Sequence, residues 1–452
     1  MLEKRLRELD QDHIARLLSL PNSPVSQERI MRDLEEVDAG LIARLTSGEL
    51  LFEPPQGNIE QADIIPAAFA STEEAIPYIR LGRDLLKSGK VAALVVAGGQ
   101  SSRLGIDAPK GVVGVTPIKN KSLFHLFAEK ILALQRKLDC VIPWFIMTSR
   151  ENDDEIRDYF RQNGCFRLGQ GSIHFFVQGM LPSVTQDGKF IIGMDGGLFM
   201  NPDGHGGTFK ALHKSGSLEL MRDLGIEEIF YFQVDNPLVK VCDPLFLGLH
   251  HMNKAQMSSK VVRKVSYEEK VGVMVKMNNK TILMEYSDMD DATRYATSPD
   301  GGMLHWGGNS AIHVIRRDFA EKITKNTSTL PFHRACKKII ARGNDARPME
   351  IEGIKFETFL FDALPFAKKT ITLEVLRDEE FAPVKNQTGV DSLETSAMMQ
   401  SALHASWLEK AGLKVREGIR VEISPLFALD GEDLKLRASE LPHLIDCDTY
   451  LG

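Results

Sequence analysis

The residue types best suited to hold a polyphosphate crowd into one short stretch. They are Gly98, Gly99 and Gly105, the hydroxyls of Ser101 and Ser102, and the cations Arg103 and Lys110. Glycine lets backbone N–H groups come close to an anion, and the cations offset the charge that remains. The stretch begins where Val91-Ala-Ala-Leu-Val-Val-Ala97 ends. That apolar, β-branched run is predicted to be a fully buried strand. On these residues alone two readings stand: a phosphate cradle, or a plain strand-to-loop turn that carries surface charge.

The flanking sequence supplies the frame. Leu2, Leu6, Leu9, Ile14, Leu17 and Leu18 recur at helical spacing, as do Ile30, Leu34, Val37 and Leu41, with Pro21-Asn-Ser-Pro24 between the two groups. Residues 1–51 are therefore expected to form a helical N-terminal region. A less regular stretch with Pro54, Pro55, Gly57 and Pro66 follows, and then a helix over Ile76–Lys87 stopped by Gly89. Ser122 is the expected N-cap of a helix bearing Leu123, Phe127, Ile131, Leu134 and Leu138. Strands are predicted over 141–147, 173–177 and 229–234. Helices fall between them, one opening on the acids Glu151 to Glu155 and closing at Asn163-Gly164, another over 218–224.

This alternation predicts an α/β fold with a mostly parallel mixed sheet and helices on both faces. Ligands of such sheets bind beyond the carboxyl ends of the strands. Gly98–Lys110 lies at one such end and Asp235-Asn236 at another, which favours the phosphate reading. From Lys260 to about Thr281 the pattern becomes β-rich. Beyond Gln387-Thr-Gly389, a helix over 396–411 and short strand-like pieces predict a small β-containing C-terminal domain, 387–452. The central domain is then 52–386.

Bulk properties narrow the partners. The chain has 452 residues, 43% of them hydrophobic, with a formal net charge of −7. Such a balance argues against nucleic acid as a partner. Five scattered cysteines without a CxxC pair point to neither a disulfide framework nor a zinc site. The first residues enter a charged amphipathic pattern directly, and no apolar run is long enough to cross a bilayer, so a cytoplasmic protein without a membrane partner is expected. Nothing in the sequence fixes an oligomeric state.

Read together, the motifs resemble the eukaryotic-type UDP-sugar pyrophosphorylase family, most of all its UDP-N-acetylglucosamine pyrophosphorylase branch. The resemblance rests on Ala97-Gly-Gly-Gln-Ser-Ser-Arg-Leu-Gly105, Pro109-Lys-Gly111, Gln178-Gly-Met-Leu-Pro182 and Pro202-Asp-Gly-His-Gly-Gly207. It continues through Val234-Asp-Asn236, Glu285-Tyr-Ser287, Gly308-Asn309, Gly353-Ile-Lys355 and Phe361-Asp through Pro383-Val-Lys-Asn386. It implies a glycosyltransferase-A-like nucleotide-binding domain flanked by the helical and C-terminal parts. The implied reaction joins UTP and a sugar 1-phosphate into a UDP-sugar and diphosphate.

The same resemblance assigns roles. Ala97, Gly98 and Gly99 would lie against the nucleotide, Arg103 and Lys110 would face the triphosphate and the departing diphosphate, and Lys355 would touch UTP. Lys385 would hold the acceptor's phosphate, and Gln178 and Gly204 would contact uracil. His205, Gly272, Glu285, Tyr286 and Asn309 fall on the sugar side. Asp235 is the expected Mg²⁺ ligand, because hard cations take carboxylate oxygens and share their shell with phosphate and water. A helix cap before Pro237 is its plainer alternative, a buried ion pair is that of Glu285, and a solvated surface position is that of Lys355 and Lys385. Asp362 is a further carboxylate without an assigned role.

Two departures from the family pattern matter. Ser101 stands where the family has glycine, so a φ above zero there would cost about 1 kcal/mol. His205 stands where the N-acetylglucosamine branch has asparagine, and glucose-using relatives share it. N-acetylglucosamine 1-phosphate is the expected acceptor, with glucose 1-phosphate or a broad sugar range as the alternative. A non-catalytic UDP-sugar-binding regulator is a further alternative, against which the full set of phosphate-facing residues speaks. A dinucleotide-dependent dehydrogenase is disfavoured because G-x-G-x-x-G spacing is absent.

Overall fold

Val91–Val96 forms the predicted strand because alternate residues find apolar cover on both sides. Val91, Ala93 and Val95 enter a core shared with Leu123, Phe127 and Ile131 of the helix Leu123–Leu138. Ala92 and Leu94 point the other way and are also fully buried. Both faces of the sheet are thus covered, as the unbroken apolar run requires. The computed structural model that shows this describes residues 2–54, 57–325 and 330–452, and Pro55 lies outside the described residues.

The strand sits inside a sheet whose order is Ile64–Ile65, Thr370–Val375, Met257–Arg263, Gly307–Arg316, Glu228–Gln233, Val91–Val96, Trp144–Thr148, Ile173–Val177. All neighbouring pairs are parallel except the two made by Gly307–Arg316, which runs against both of its partners. An antiparallel meander of Ile59–Gln61, Val273–Met277 and Lys280–Met284 joins through Val273 opposite Gly308. The mostly parallel mixed sheet expected from the sequence is present.

Element bounds follow local chemistry. The helix Ile76–Lys87 occupies the predicted span, and Ser122 caps Leu123–Leu138 by accepting the His125 amide. The strand predicted over 141–147 begins only at Trp144. Pro143 has no N–H to give a ladder, and its carbonyl instead accepts from Ala93. Helices Ile76–Lys87 and Pro244–Met252 meet through Gly82 and Gly248. A Cβ on Gly82 would lie 1.8 Å from the Pro244 carbonyl oxygen, and one on Gly248 1.9 Å from that of Tyr78. Only glycine allows the two backbones to meet there.

Contacts divide the chain into two compact units. The sheet, its helices and the C-terminal residues form one: 57–177, 212–322 and 364–452. Within it Leu408 of the helix Leu393–Lys410 makes a small cluster with Val421, Ile423, Leu434 and Ile445. The other unit comprises 1–56, 178–211 and 323–363. Four helices, Leu2–Glu8, Asp12–Leu18, Gln27–Glu36 and Ala39–Thr46, bury Leu6, Ile14, Ile30 and Leu34 in its core with Leu181, Phe190 and Phe356. It also carries the hairpins Met180–Pro182/Met200–Pro202 and Phe332–Arg342/Pro348–Thr358.

Candidate active site

The glycine-rich loop leaves the sheet where two chain segments emerge side by side. Val96 is in register with Gln233 and Met147. The Ala97 amide then donates to Met147 (2.8 Å) and the Val234 amide to Val96 (3.1 Å). Asn152 donates its side-chain amide to the Ala97 carbonyl at 3.2 Å. The loop is closed by backbone bonds from Lys110 to Gly99 (3.1 Å) and from Ser101 to Ala108 (3.1 Å). Gly98, Gly99 and Lys110 are therefore one folded piece. Ser101 has φ −91° and ψ 21°, a conformation open to any residue, so the strain that a positive φ would bring does not arise.

Arg103 is exposed and Lys110 half-buried. Neither has an ion-pair partner among the described residues. Two cations left without counter-ions beside folded-back amides are what a phosphate chain needs.

Asp235 follows the neighbouring strand. Its carbonyl accepts from the Val384 amide at 2.8 Å, which sets Lys385 next to it. Asn236 completes the clamp: its Nδ2 donates to the Glu380 carbonyl (2.7 Å), and its Oδ1 accepts from the amides of Ala382 (3.1 Å) and Leu238 (3.2 Å). Beneath lies a buried charge cluster. Lys260, fully buried, gives its ammonium to Asp243 (2.7 Å) and Glu380 (2.6 Å). Lys130 donates to the carbonyls of Pro237 and Val239, and burial pushes its pKa down to about 7. Asp391 faces Lys385 at 3.9 Å, and burial raises its carboxyl, with Lys385 pulling the other way and Asp235 adding to the rise.

The helix after Asp235, Pro244–Met252, is capped by Asp243, so helix capping does not account for Asp235. Among the described residues no group of three or more His, Cys, Asp or Glu side chains could enclose a metal. A lone carboxylate suits Mg²⁺ only where phosphate and water fill the rest of its shell.

Of the five residues expected on the sugar side, Gly272, Glu285, Tyr286 and Asn309 lie in the same unit and His205 does not. The Asn309 amide donates to the Gly272 carbonyl at 2.9 Å, and its Oδ1 accepts from Ala311 at a bulge where the register shifts and Ala311 takes φ 57°. Glu285 Oε1 lies 3.0 Å from where a Gly272 Cβ would stand, so that glycine leaves room for the carboxylate. Tyr286 lines a cleft of about 250 Å³ with Tyr267, Glu269, Met289 and Arg294.

Gln178, Gly204, His205 and Lys355 belong to the other unit. Gln178 donates Nε2–H to the Gly204 carbonyl at 2.7 Å. His205 accepts the Leu360 amide on Nδ1 (3.1 Å) and stacks on Phe359, and burial lowers its pKa to about 4. The ring is a neutral imidazole whose remaining hydrogen sits on Nε2. Lys355 is paired with Glu357, and Asp362 with His333 at 2.9 Å.

The sequence model of one family, described as UTP--glucose-1-phosphate uridylyltransferase, matches residues 57–449. The chain belongs to this family. It is 34% identical over 463 residues to UDP-N-acetylglucosamine diphosphorylase 2 of Arabidopsis thaliana, covering 96% of this chain and 90% of that one. It is 34% identical over 395 residues to the UDP-N-acetylglucosamine pyrophosphorylase of Saccharomyces cerevisiae, covering 83% and 82%. The crystal structure of the uridine diphosphate N-acetylglucosamine pyrophosphorylase from Trypanosoma brucei superposes with a TM-score of 0.83 at 25% identity, covering 99% and 98%.

Sequence reasoning missed some of what supports this uridylyltransferase-family site. Asn236 was visible beside Asp235, but its clamp on 380–382 is made with backbone far along the chain. Lys260 carries no signal at all, since a lysine in a strand ordinarily reads as a solvent-facing position. Asp203 stood inside a quoted motif, and its partner Gln178 was assigned to the base without it.

Proposed function

We propose that the protein is a uridylyltransferase that converts UTP and N-acetylglucosamine 1-phosphate into UDP-N-acetylglucosamine and diphosphate. The observation that carries the reading is the pairing of Arg103 and Lys110, without ion-pair partners among the described residues, on a folded glycine loop with Asp235 at the next strand end, whose carbonyl accepts the Val384 amide beside Lys385. A phosphate oxygen of the sugar phosphate attacks the α-phosphorus of UTP in line. The bond from that phosphorus to the bridging oxygen breaks, and diphosphate leaves with the electron pair. No protein nucleophile or proton transfer is required, so catalysis is positioning and charge compensation.

UTP carries about four negative charges and the acceptor about two, and their repulsion opposes the encounter. In this proposal the amides of Ala97, Gly98 and Gly99 hold the nucleotide, Arg103 and Lys110 take the charge growing on the diphosphate, Lys355 supports UTP, and Lys385 holds the acceptor phosphate. Lys355 must then exchange its Glu357 partner for the nucleotide. Gln178 and Gly204 take uracil, and His205, Gly272, Glu285, Tyr286 and Asn309 take the sugar. Asp235 would hold Mg²⁺. When bound, the ion would offset phosphate charge and align the reacting groups.

N-acetylglucosamine is preferred to glucose because relatives of 34% identity covering most of the chain carry that sugar in their names. The domain organisation we propose is 1–51, 52–386 and 387–452, the last supported by its own apolar cluster. Five cysteines without disulfide partners support a reducing, cytoplasmic setting, and no helix among the described residues is long and apolar enough to cross a membrane. The test is pyrophosphorolysis: UDP-N-acetylglucosamine, diphosphate and Mg²⁺ should yield UTP. Tight binding of the UDP-sugar without UTP formation would instead favour a non-catalytic regulator.

A further inference from the structure

Gln178 is nine-tenths buried, and its amide can point only one way. Nε2 lies 2.7 Å from the Gly204 carbonyl oxygen and 3.3 Å from Asp203 Oδ1. A carbonyl can only accept, so nitrogen must face it. Both N–H groups are then committed, and Oε1 is the one hydrogen-bonding atom of the side chain left over. It is a pure acceptor.

Asp203 is built into place to enforce this. Its amide donates to the Gly179 carbonyl (3.0 Å), and its own carbonyl accepts from the Thr358 amide (2.8 Å) and hydroxyl (3.0 Å). Its carboxyl fills space that two neighbouring glycines leave open. A Cβ on Gly179 would stand 2.5 Å from Oδ2, and one on Gly207 2.0 Å from Oδ1. Asp203 is 7% exposed and has no cationic side chain bonded to it among the described residues. Keeping a carboxyl without a cation in such surroundings is costly, and its one side-chain hydrogen-bond partner among the described residues is the amide of Gln178.

We propose that Asp203 is a positioning residue that locks the Gln178 amide so that Oε1 accepts the N3–H of the substrate base, and that this lock selects uracil over cytosine. The proposal rests on the assignment of Gln178 to the base in the proposed function. The only N–H on the uracil ring of a nucleotide is at N3, so an acceptor that reads uracil must read that hydrogen. Cytosine in the same pose turns a lone pair toward Oε1. A site made to bond a substrate N–H rejects the analogue without it far more strongly than shape alone could. Without Asp203 the Gly204 carbonyl alone would hold the amide, and each flip would turn Nε2–H toward cytosine N3 and weaken the discrimination.

The experiment measures kcat/KM for UTP, CTP and 3-deaza-UTP, in which C–H replaces N3–H, with N-acetylglucosamine 1-phosphate as acceptor. The wild-type protein is expected to prefer UTP over either analogue by about 100-fold or more. Asp203→Ala should shrink the UTP/CTP ratio at least tenfold. Asp203→Asn, whose Oδ1 still accepts from Gln178, should keep most of the preference. A folded Asp203→Ala variant with an unchanged ratio overturns the proposal. So does a wild-type enzyme that uses CTP or 3-deaza-UTP as well as UTP, a result that needs no variant to fold. Absence of any turnover with UTP would instead refute the underlying uridylyltransferase reading, so the two failures are told apart.

Discussion

Lys110 is fixed by backbone, through its amide on the Gly99 carbonyl, while its ammonium has no ion-pair partner among the described residues. Lys110→Ala should therefore leave the fold intact and lower turnover by about 10²–10³-fold, the scale of a lost preorganised charge. Steady-state rates and a melting curve on the same sample check this, and near-normal turnover would remove the residue from the chemistry. Asp203 gives a pH prediction. Burial raises its carboxyl from 3.8 to about 7, so the folded protein keeps a proton that the unfolded chain loses near pH 4. Its contribution is fully present below pH 4 and is lost as pH rises through 7, about 4 kcal/mol in all. Between pH 5 and 8 the melting temperature of wild type should fall relative to Asp203→Asn. Parallel curves would show that the carboxyl is ionised throughout. The glycine-rich loop after Val91–Val96 was legible in the sequence because glycine and cation spacing is local. The Asp203–Gln178 bond spans 25 positions and was not.

At the scale of elements, the strand-end pair works because a second layer holds it. Asn236 ties the segment after Glu228–Gln233 to the residues before Lys385, and Lys260 binds Glu380 and Asp243 from below. Removing one partner of a buried ionic cluster strands the others. Lys260→Met should therefore cost about 3–5 kcal/mol in urea unfolding. A loss below 1 kcal/mol would mean that the cluster adds nothing to stability. The central strands and the helices Ile76–Lys87 and Leu123–Leu138 were readable from apolar periodicity and caps. The hairpin Phe332–Arg342/Pro348–Thr358 was not, because Arg334, Lys337, Lys338, Glu350 and Glu352 interrupt its alternation on a largely exposed surface. The strand predicted over 141–147 starts only at Trp144 because Pro143 has no N–H to donate, a feature already present in the sequence.

For the whole molecule, the chain uses a mostly parallel sheet to bring distant segments to one edge. The segments 96–110, 234–236 and 380–391 meet there through the Val234 amide on the Val96 carbonyl and the Val384 amide on the Asp235 carbonyl. With a net charge of −7 any positive potential is local, and the proposed function gives Arg103, Lys110 and Lys385 to the polyanionic substrates. The family follows from the match over 57–449, and the sugar is the finer claim. The His205 ring, whose Nδ1 accepts the Leu360 amide, keeps its hydrogen on Nε2, and the proposed function places it on the sugar side. The most direct measurement supplies UTP and Mg²⁺ and compares diphosphate release with N-acetylglucosamine 1-phosphate and with glucose 1-phosphate. The account predicts release with a kcat/KM at least about tenfold higher for the N-acetylated sugar, a difference of about 1.4 kcal/mol. Release that favours glucose 1-phosphate, or none with either acceptor, would contradict it.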